Sequence, residues 1–292
     1  MADIMASKLI KDHLRVEKLP HIWCPGCGHG ILMRVVAQAI ENVGLDKDKV
    51  CIVSGIGCSS RAPGYMNYNT LHTAHGRALA FATGLKLANP ELHVIVITGD
   101  GDATAIGGNH FIHSCRRNID ITCIVFNNLI YGMTGGQYSP LTPMHDLATT
   151  APYGNVDHPF DIVKLADGAG ASYLARTTAY HVPQAIKLIE NGLKNRGFSM
   201  IEALSQCPTY YGRKNRKGNA VQLMDDMRDN SVDIKKAAGM TAAELAGKVV
   251  LGEFKNAPQA EYTDEYQLVI DKVMAATDAH KRPPGLRPGP GV

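Results

Sequence analysis

The sequence predicts an α/β protein built on a mostly parallel sheet with helices on both faces. Three observations point there. Short β-branched runs alternate with longer stretches at helical spacing. The two middle runs are apolar almost without interruption, as strands buried on both faces are. Polar, glycine-bearing segments follow directly on several of the runs, where the carboxyl ends of strands gather ligands in such sheets.

Taken in order, residues 30–43 form an amphipathic helix and 50–54 a first strand. Residues 75–88 continue as a helix, 93–98 as a strand and 108–117 as a helix. Residues 121–127 read as a second buried strand, 161–168 as a helix, 172–175 as a strand, 179–195 as a helix and 200–204 as a last strand. Residues 210–217 are basic and polar and read as a loop leaving the core. Helical patterns over 220–230, 240–253 and 262–279 form a helical C-terminal extension. The tail 281–292 is rich in Pro and Gly, and is disordered or laid along a partner. The expected organisation is an N-terminal segment 1–22, a catalytic domain 23–211, the extension 212–280 and the tail 281–292, with no internal repeat.

The chain has 292 residues, 45% of them apolar, enough for a substantial core. A net charge of +3 with dispersed Lys and Arg gives no basis for binding nucleic acid or a membrane surface. The longest apolar runs are far too short to span a bilayer, and residues 1–11 have no apolar core of a secretory signal. A cytoplasmic protein is expected.

Seven cysteines, an odd number without a signal, argue against a disulfide framework. Cys51, Cys115 and Cys123 sit in or beside apolar stretches and read as small buried residues. Cys24 and Cys27 form a compact C-x2-C turn (WCPGCG), whereas Cys58 (GIGCSS) and Cys207 (SQCP) each follow a strand. Four thiolates can thus converge on one rim of the sheet. Such a set fits a [4Fe–4S] cluster or a structural Zn²⁺. One pair with two singletons favours iron over the two knuckles of a zinc ribbon. A thioredoxin-like redox pair leaves Cys58 and Cys207 unexplained.

The strand 93–98 runs into Gly99-Asp100-Gly101-Asp102, and the strand 121–127 into Asn127-Asn128. Glycines let backbone amides approach an anion, and a helix starting near residues 106–108 turns its positive end to the same point. Asp100 and Asn128 offer hard oxygen ligands, and a backbone carbonyl just beyond can add a third. That donor set describes a Mg²⁺ finished by phosphate oxygens and water. GDG followed by NN, each capping a buried strand, resembles the thiamine-diphosphate motif. On that pattern Asp100 and Asn128 bind metal by side chain and Ile130 by its carbonyl, while Asp102 binds metal-bound water or caps the helix. The plainer alternative is a pair of polar turns.

The motifs CPGCG, GIGCSS, HTAHGRA, GDGDATAIGGNH, NNLIYGMTGGQYSPLTP and SQCPTY together resemble the β subunits of 2-oxoacid:ferredoxin oxidoreductases, over residues 23–211. The NNLIYGMTGGQ segment is closer to the 2-oxoglutarate type than to the pyruvate type. The resemblance implies a thiamine-diphosphate-binding fold of the diphosphate-binding kind. It implies that Cys24, Cys27, Cys58 and Cys207 ligate one [4Fe–4S] cluster. Ile56, Gly57, Cys58, Ser59, His75, Gly76, Arg77, Gly99, Asp100, Gly101, Asp102, Asn128, Leu129, Ile130, Tyr131, Gly132, Met133 and Thr134 would surround thiamine diphosphate. The implied reaction is oxidative decarboxylation of a 2-oxoacid with coenzyme A, its electrons passing singly to a cluster whose ligand Cys58 lies in the cofactor loop, and then to ferredoxin. Thiamine enzymes use two domains. This chain has only the diphosphate half and no evident place for the activating glutamate, so an α subunit with the pyrimidine-binding domain is expected, in an (αβ)2 assembly.

His75 would hydrogen-bond a diphosphate or a substrate carboxylate, or else simply cap a helix. Arg77 would pair with the substrate's distal carboxylate or with a partner's acid, or else be a plain solvated or interface arginine. His110 and His113, three residues apart, read as ordinary helix histidines, Arg116 and Arg117 as charges suited to a helix end, and Gly135-Gly136 as a turn. The rival functions are a non-oxidative thiamine-diphosphate lyase, a metal-stabilised scaffold subunit without catalysis, and an oxidoreductase for pyruvate or other 2-oxoacids.

Overall fold

The computed structural model describes residues 7–278, so the Pro/Gly-rich tail 281–292 lies outside the described residues. The strands are β1 (Val50–Ser54), β2 (Asn69–His72), β3 (His93–Gly99), β4 (Thr122–Asn127), β5 (Tyr173–Thr178), β6 (Ser199–Leu204), β7 (Ser231–Asp233) and β8 (Val249–Asn256). They form one sheet in the order β2-β1-β3-β4-β6-β5-β8-β7. Every neighbouring pair is parallel except β5 with β8. The helices that bear on the argument are α1 (His29–Val43), α2 (Ala78–Ala88), α3 (Asp100–Thr104), α4 (Gly108–Arg117), α5 (Ile162–Gly168), α6 (Val182–Lys194), α7 (Ala220–Asp229) and α8 (Tyr262–Asp278).

The central strands are apolar on both sides because both sides are covered. Ile52, Ile95, Ile97, Ile124 and Phe126 pack with α1 and α6 residues in one core. Val53, Val94, Val96, Cys123 and Val125 alternate with them and pack with α2, α4 and α5 residues in a second core. Cys51, Cys115 and Cys123 are buried in that second core, as expected of small apolar residues. Gly44, with φ 73, closes α1 in the left-handed cap that glycine tolerates.

After β1 the chain adds β2 on one side and then β3 on the other. This reversal opens a crevice at the carboxyl ends of β1 and β3. A buried ion-pair network stiffens the opposite half. Arg176 on β5 bonds Glu202 on β6 at 2.5 Å and Asp161 at 2.6 Å, and Asn127 at the end of β4 donates to Glu202 at 2.7 Å.

The observed elements depart from the expected ones in three places. Residues 240–253 are not one helix: a single helical turn, Ala242–Leu245, leads into β8, which lies antiparallel on β5. The β-branched run Val249-Val250 wins because pairing satisfies its backbone, and Gly252, at φ 132, adopts a conformation closed to most side chains. The helix expected to start near 106–108 does so, as α4 at Gly108, but a short additional helix, α3, precedes it from Asp100 inside the GDGD segment. The polar strand β2 has no apolar alternation and was not expected. Among the described residues no helix is long and apolar enough to cross a membrane.

Arg176→Met leaves Glu202 buried with its cation gone. The expected cost is about 3–5 kcal/mol, read as a fall in the urea midpoint. Lys164→Ala, which breaks an exposed pair with Asp161, should change stability by less than about 1 kcal/mol.

Candidate active site

Three oxygen atoms meet where β3 and β4 end. The side-chain oxygen of Asn128 stands 3.2 Å from Asp100 Oδ1 and 2.6 Å from the Ile130 carbonyl oxygen. No proton lies between them in this arrangement. It calls either for a rotated amide that donates to both, or for a cation among the three oxygens. Burial pushes the Asp100 carboxyl up to about 7, against hydrogen bonds from Ser139 and from the backbone amides of Gly101 and Asn128 that pull it down. A cation would remove that cost of burying the charge.

The local sequence explains the aim of Asn128. Asn127 accepts from the Leu129 amide at 2.9 Å, and Leu129 takes a left-handed φ of 63. The first asparagine thus makes the turn, fixed from behind by Glu202, and the second presents its amide.

Asp102 gathers three loops. Its carboxylate accepts from Thr98 Oγ1 at 2.7 Å, from the Gly76 amide at 2.6 Å and from the Ile56 amide at 3.3 Å, and lies 2.8 Å from His75 Nδ1. A Cβ on Gly55 would come within 2.2 Å of it, so only glycine lets the loop after β1 close over the carboxylate. Asp102 therefore braces the rim instead of capping a distant helix. His75 turns Nδ1 to Asp102 and to the Ile56 carbonyl at 3.1 Å, and its ring lies by Tyr131. This leaves Nε2 for the cavity that His75 helps to line.

That cavity measures about 430 Å³ and is lined by most of the residues expected around a cofactor: Ile56, Gly57, Cys58, Ser59, His75 and Gly99 on one side, with Asp100, Gly101 and Asp102 beneath. Asn128, Ile130, Gly132, Met133 and Thr134 close the other side. Ser59 Oγ is buried without a partner, a donor suited to an anion. Three expected residues, Gly76, Arg77 and Leu129, are not on this lining. Gly76 contributes its amide to Asp102 instead, and Arg77 caps α2 with its guanidinium on the Ile106 carbonyl at 3.0 Å. His110 and His113 lie on α4, Arg116 and Arg117 end it, and none of the four lines the cavity. Tyr131, within the expected segment 128–134, lines it too, as do His29, Phe126 and Gln137, which the sequence reading had not singled out. Burial holds His29 neutral at about 3, with Nδ1 on Ser205 Oγ at 2.8 Å.

A second cavity, about 220 Å³, is lined by Cys24, Cys27, Cys58 and Cys207 together, with Trp23 and Tyr210 among its other walls. Burial pushes the Cys27 thiol up to about 12 and Cys58 up to about 11, and each is raised further by its neighbouring cysteines. The backbone amides of His29 and Met133 donate to these two sulfurs. The indole of Trp23 donates to the Cys58 carbonyl at 2.7 Å, which fixes the loop. Among the described residues no three His, Cys, Asp or Glu side chains are gathered as ligands of one metal ion. All four thiols line this one cavity.

The two cavities share a wall of Cys58, Asn128, Gly132 and Met133. It is thin at Gly132, where a Cβ would lie 3.1 Å from Cys58 Sγ and 3.9 Å from Cys207 Sγ.

Residues 55–203 match the family model described as the C-terminal TPP-binding domain of thiamine pyrophosphate enzymes. The chain is 54% identical to 2-oxoglutarate synthase subunit KorB of Methanothermobacter marburgensis, over 92% of this chain and 94% of that protein. It is 51% identical to the same subunit of Methanocaldococcus jannaschii, over 89% and 97%. The structure of 2-oxoglutarate:ferredoxin oxidoreductase from Magnetococcus marinus, with 2-oxoglutarate, coenzyme A and succinyl-CoA bound, superposes with a TM-score of 0.81 at 32% identity, covering 94% of this chain and 96% of that one.

Thiolates, not thiols, are alkylated. In metal-free protein at pH 7, exposed Cys24 should be modified first by a maleimide, with Cys27 and Cys58 slower and buried Cys115 and Cys123 last. Time-resolved mass spectrometry of peptides checks the order, and equal rates at Cys24 and Cys58 would contradict the placement.

Proposed function

The chain belongs to the β subunits of the 2-oxoglutarate and 2-oxoacid:ferredoxin oxidoreductases, and we propose that its two cavities hold Mg²⁺–thiamine diphosphate and a [4Fe–4S] cluster for the oxidation of 2-oxoglutarate to succinyl-CoA and CO2. The observation that carries this reading is the shared wall, in which Cys58 belongs to both cavities.

Thiamine diphosphate supplies the carbanion chemistry that releases CO2 from a 2-oxoacid, and the cluster takes up electrons singly. The chain's own residues do the holding. Asp100, Asn128 and the Ile130 carbonyl present hard oxygens to Mg²⁺, and Ser59 offers its unpartnered hydroxyl to a phosphate oxygen. The Asp102–His75 pair fixes the imidazole with Nε2 directed to the cavity, a group able to hold a carboxylate or move a proton. Cys24, Cys27, Cys58 and Cys207, lining one cavity, would supply four thiolates, one to each iron of a [4Fe–4S] cluster.

Among the residues lining the larger cavity there is no glutamate. This supports an α subunit that supplies the pyrimidine half and its activating glutamate, in an (αβ)2 assembly. We assign residues 23–211 to both cofactors. Coenzyme A is the acyl acceptor in this reading, ferredoxin takes the electrons, and the cell compartment is the cytoplasm.

Anaerobic co-purification with the α subunit should give a brown complex whose visible absorption bleaches on adding 2-oxoglutarate and coenzyme A, with slower dye reduction on pyruvate. Asp100→Ala should lower activity at least about 10–100-fold, the loss typical even of residues one shell beyond a metal, and abolish the rise in melting temperature produced by Mg²⁺ and thiamine diphosphate. A colourless complex with full activity contradicts the reading.

A further inference from the structure

The basic segment after Cys207 has no role in either cavity's chemistry, yet both of its ends touch the cysteine cage. It leaves Cys207 through a π-helical turn, Pro208–Gly212, and returns at Ala220, the first residue of α7. A Cβ on Gly26, between Cys24 and Cys27, would lie 2.3 Å from the Ala220 Cβ, so the C-x2-C turn rests directly on the segment's far end. Arg213, Lys214, Arg216 and Lys217 lie between these anchors, and among the described residues no ion pair joins any of the four to an acid. Nearby acids are engaged elsewhere: Asp225 and Asp229 pair with Arg228, and Tyr211 donates to Asp146. Lys217 faces Asp226 across a separate polar cavity.

The segment is ordered. Asn215 accepts from the Leu147 amide at 2.6 Å and donates to the Leu147 carbonyl at 3.0 Å, and the Lys217 amide bonds the Gly212 carbonyl at 2.9 Å. Beside it the cage meets solvent. Cys24 is exposed, and Ile22 (67% exposed) and Tyr210 (38% exposed) flank the opening. Unneutralised cations on the stretch of chain that runs from Cys207 back to the C-x2-C turn give this side of the cage a positive field, which attracts a negatively charged protein and steers it.

We propose that residues 208–219, with Ile22 and Tyr210, are the docking surface for a small acidic electron-carrier protein, which takes electrons out past Cys24. The proposal rests on the cluster reading above. Each docking event passes one electron from a reduced cluster to an oxidised carrier, and no bond is made or broken.

The test uses the complete αβ complex with 2-oxoglutarate and coenzyme A, and two acceptors: an acidic ferredoxin and the small cationic dye methyl viologen. Arg213→Glu combined with Lys214→Glu should lower kcat/KM for the ferredoxin at least about 10-fold at low salt, with methyl viologen reduction and visible absorption unchanged. In wild type, added NaCl should slow the ferredoxin reaction and spare the dye reaction, a measurement that needs no variant. An unchanged ferredoxin kcat/KM, or equal losses with both acceptors in a variant that keeps its absorption, overturns the docking surface. A wild-type complex with no visible absorption and no dye reduction instead removes the cluster reading beneath it.

Discussion

The carboxyl ends of β1, β3, β4 and β6 open on a common rim, and the thinness of the wall there is the constraint on which the rest depends. Each strand end contributes what its sequence permits: Cys58 after β1, Asp100 after β3, Asn128 after β4 and Cys207 after β6. Parallel pairing puts these ends on the same side, since four strands running in one direction finish together. Gly132 then keeps the partition between the cavities to the thickness of a backbone. Any side chain there would meet sulfur on the cage side.

The rim holds its shape through groups that never enter a cavity. Asp102 binds the loops after β1 and β2 to the end of β3. Glu202 grips Asn127 from behind while Arg176 neutralises it. These buried charges are costly unless fully partnered, and here each has several partners. The expense is compatible with a site in which small displacements matter, because oxygens meant for a cation repel one another until it arrives.

Much of this was legible in the sequence. Strand β1 has the expected bounds, and β3, β4 and β6 lie within a residue of theirs, because β-branched runs buried on both faces have few alternatives. Cys24, Cys27, Cys58 and Cys207 line one cavity because Cys58 and Cys207 follow strand ends and the turn that holds Cys24 and Cys27 rests against the segment after β6. Asp100, Asn128 and Ile130 meet for the same reason. What stayed hidden depends on distant partners. Ser139 reaches Asp100 from 39 residues away, and His29 looks like any helix start until the sheet folds beneath it. The bond from Arg77 to the Ile106 carbonyl likewise joins loops that lie far apart in sequence. Strand β8 was masked by the helix-forming Ala242–Leu245 ahead of it.

The most direct test of the common rim replaces the proposed Mg²⁺ by Mn²⁺ in the anaerobic complex and follows the electron-spin relaxation of the proposed cluster after reduction. A paramagnetic ion held by Asp100 and Asn128, one thin partition from the sulfurs of Cys58 and Cys207, should shorten that relaxation markedly relative to the Mg²⁺ form. Identical relaxation in the two forms, with Mn²⁺ shown to be bound, would place the ion and the cluster apart and contradict the account.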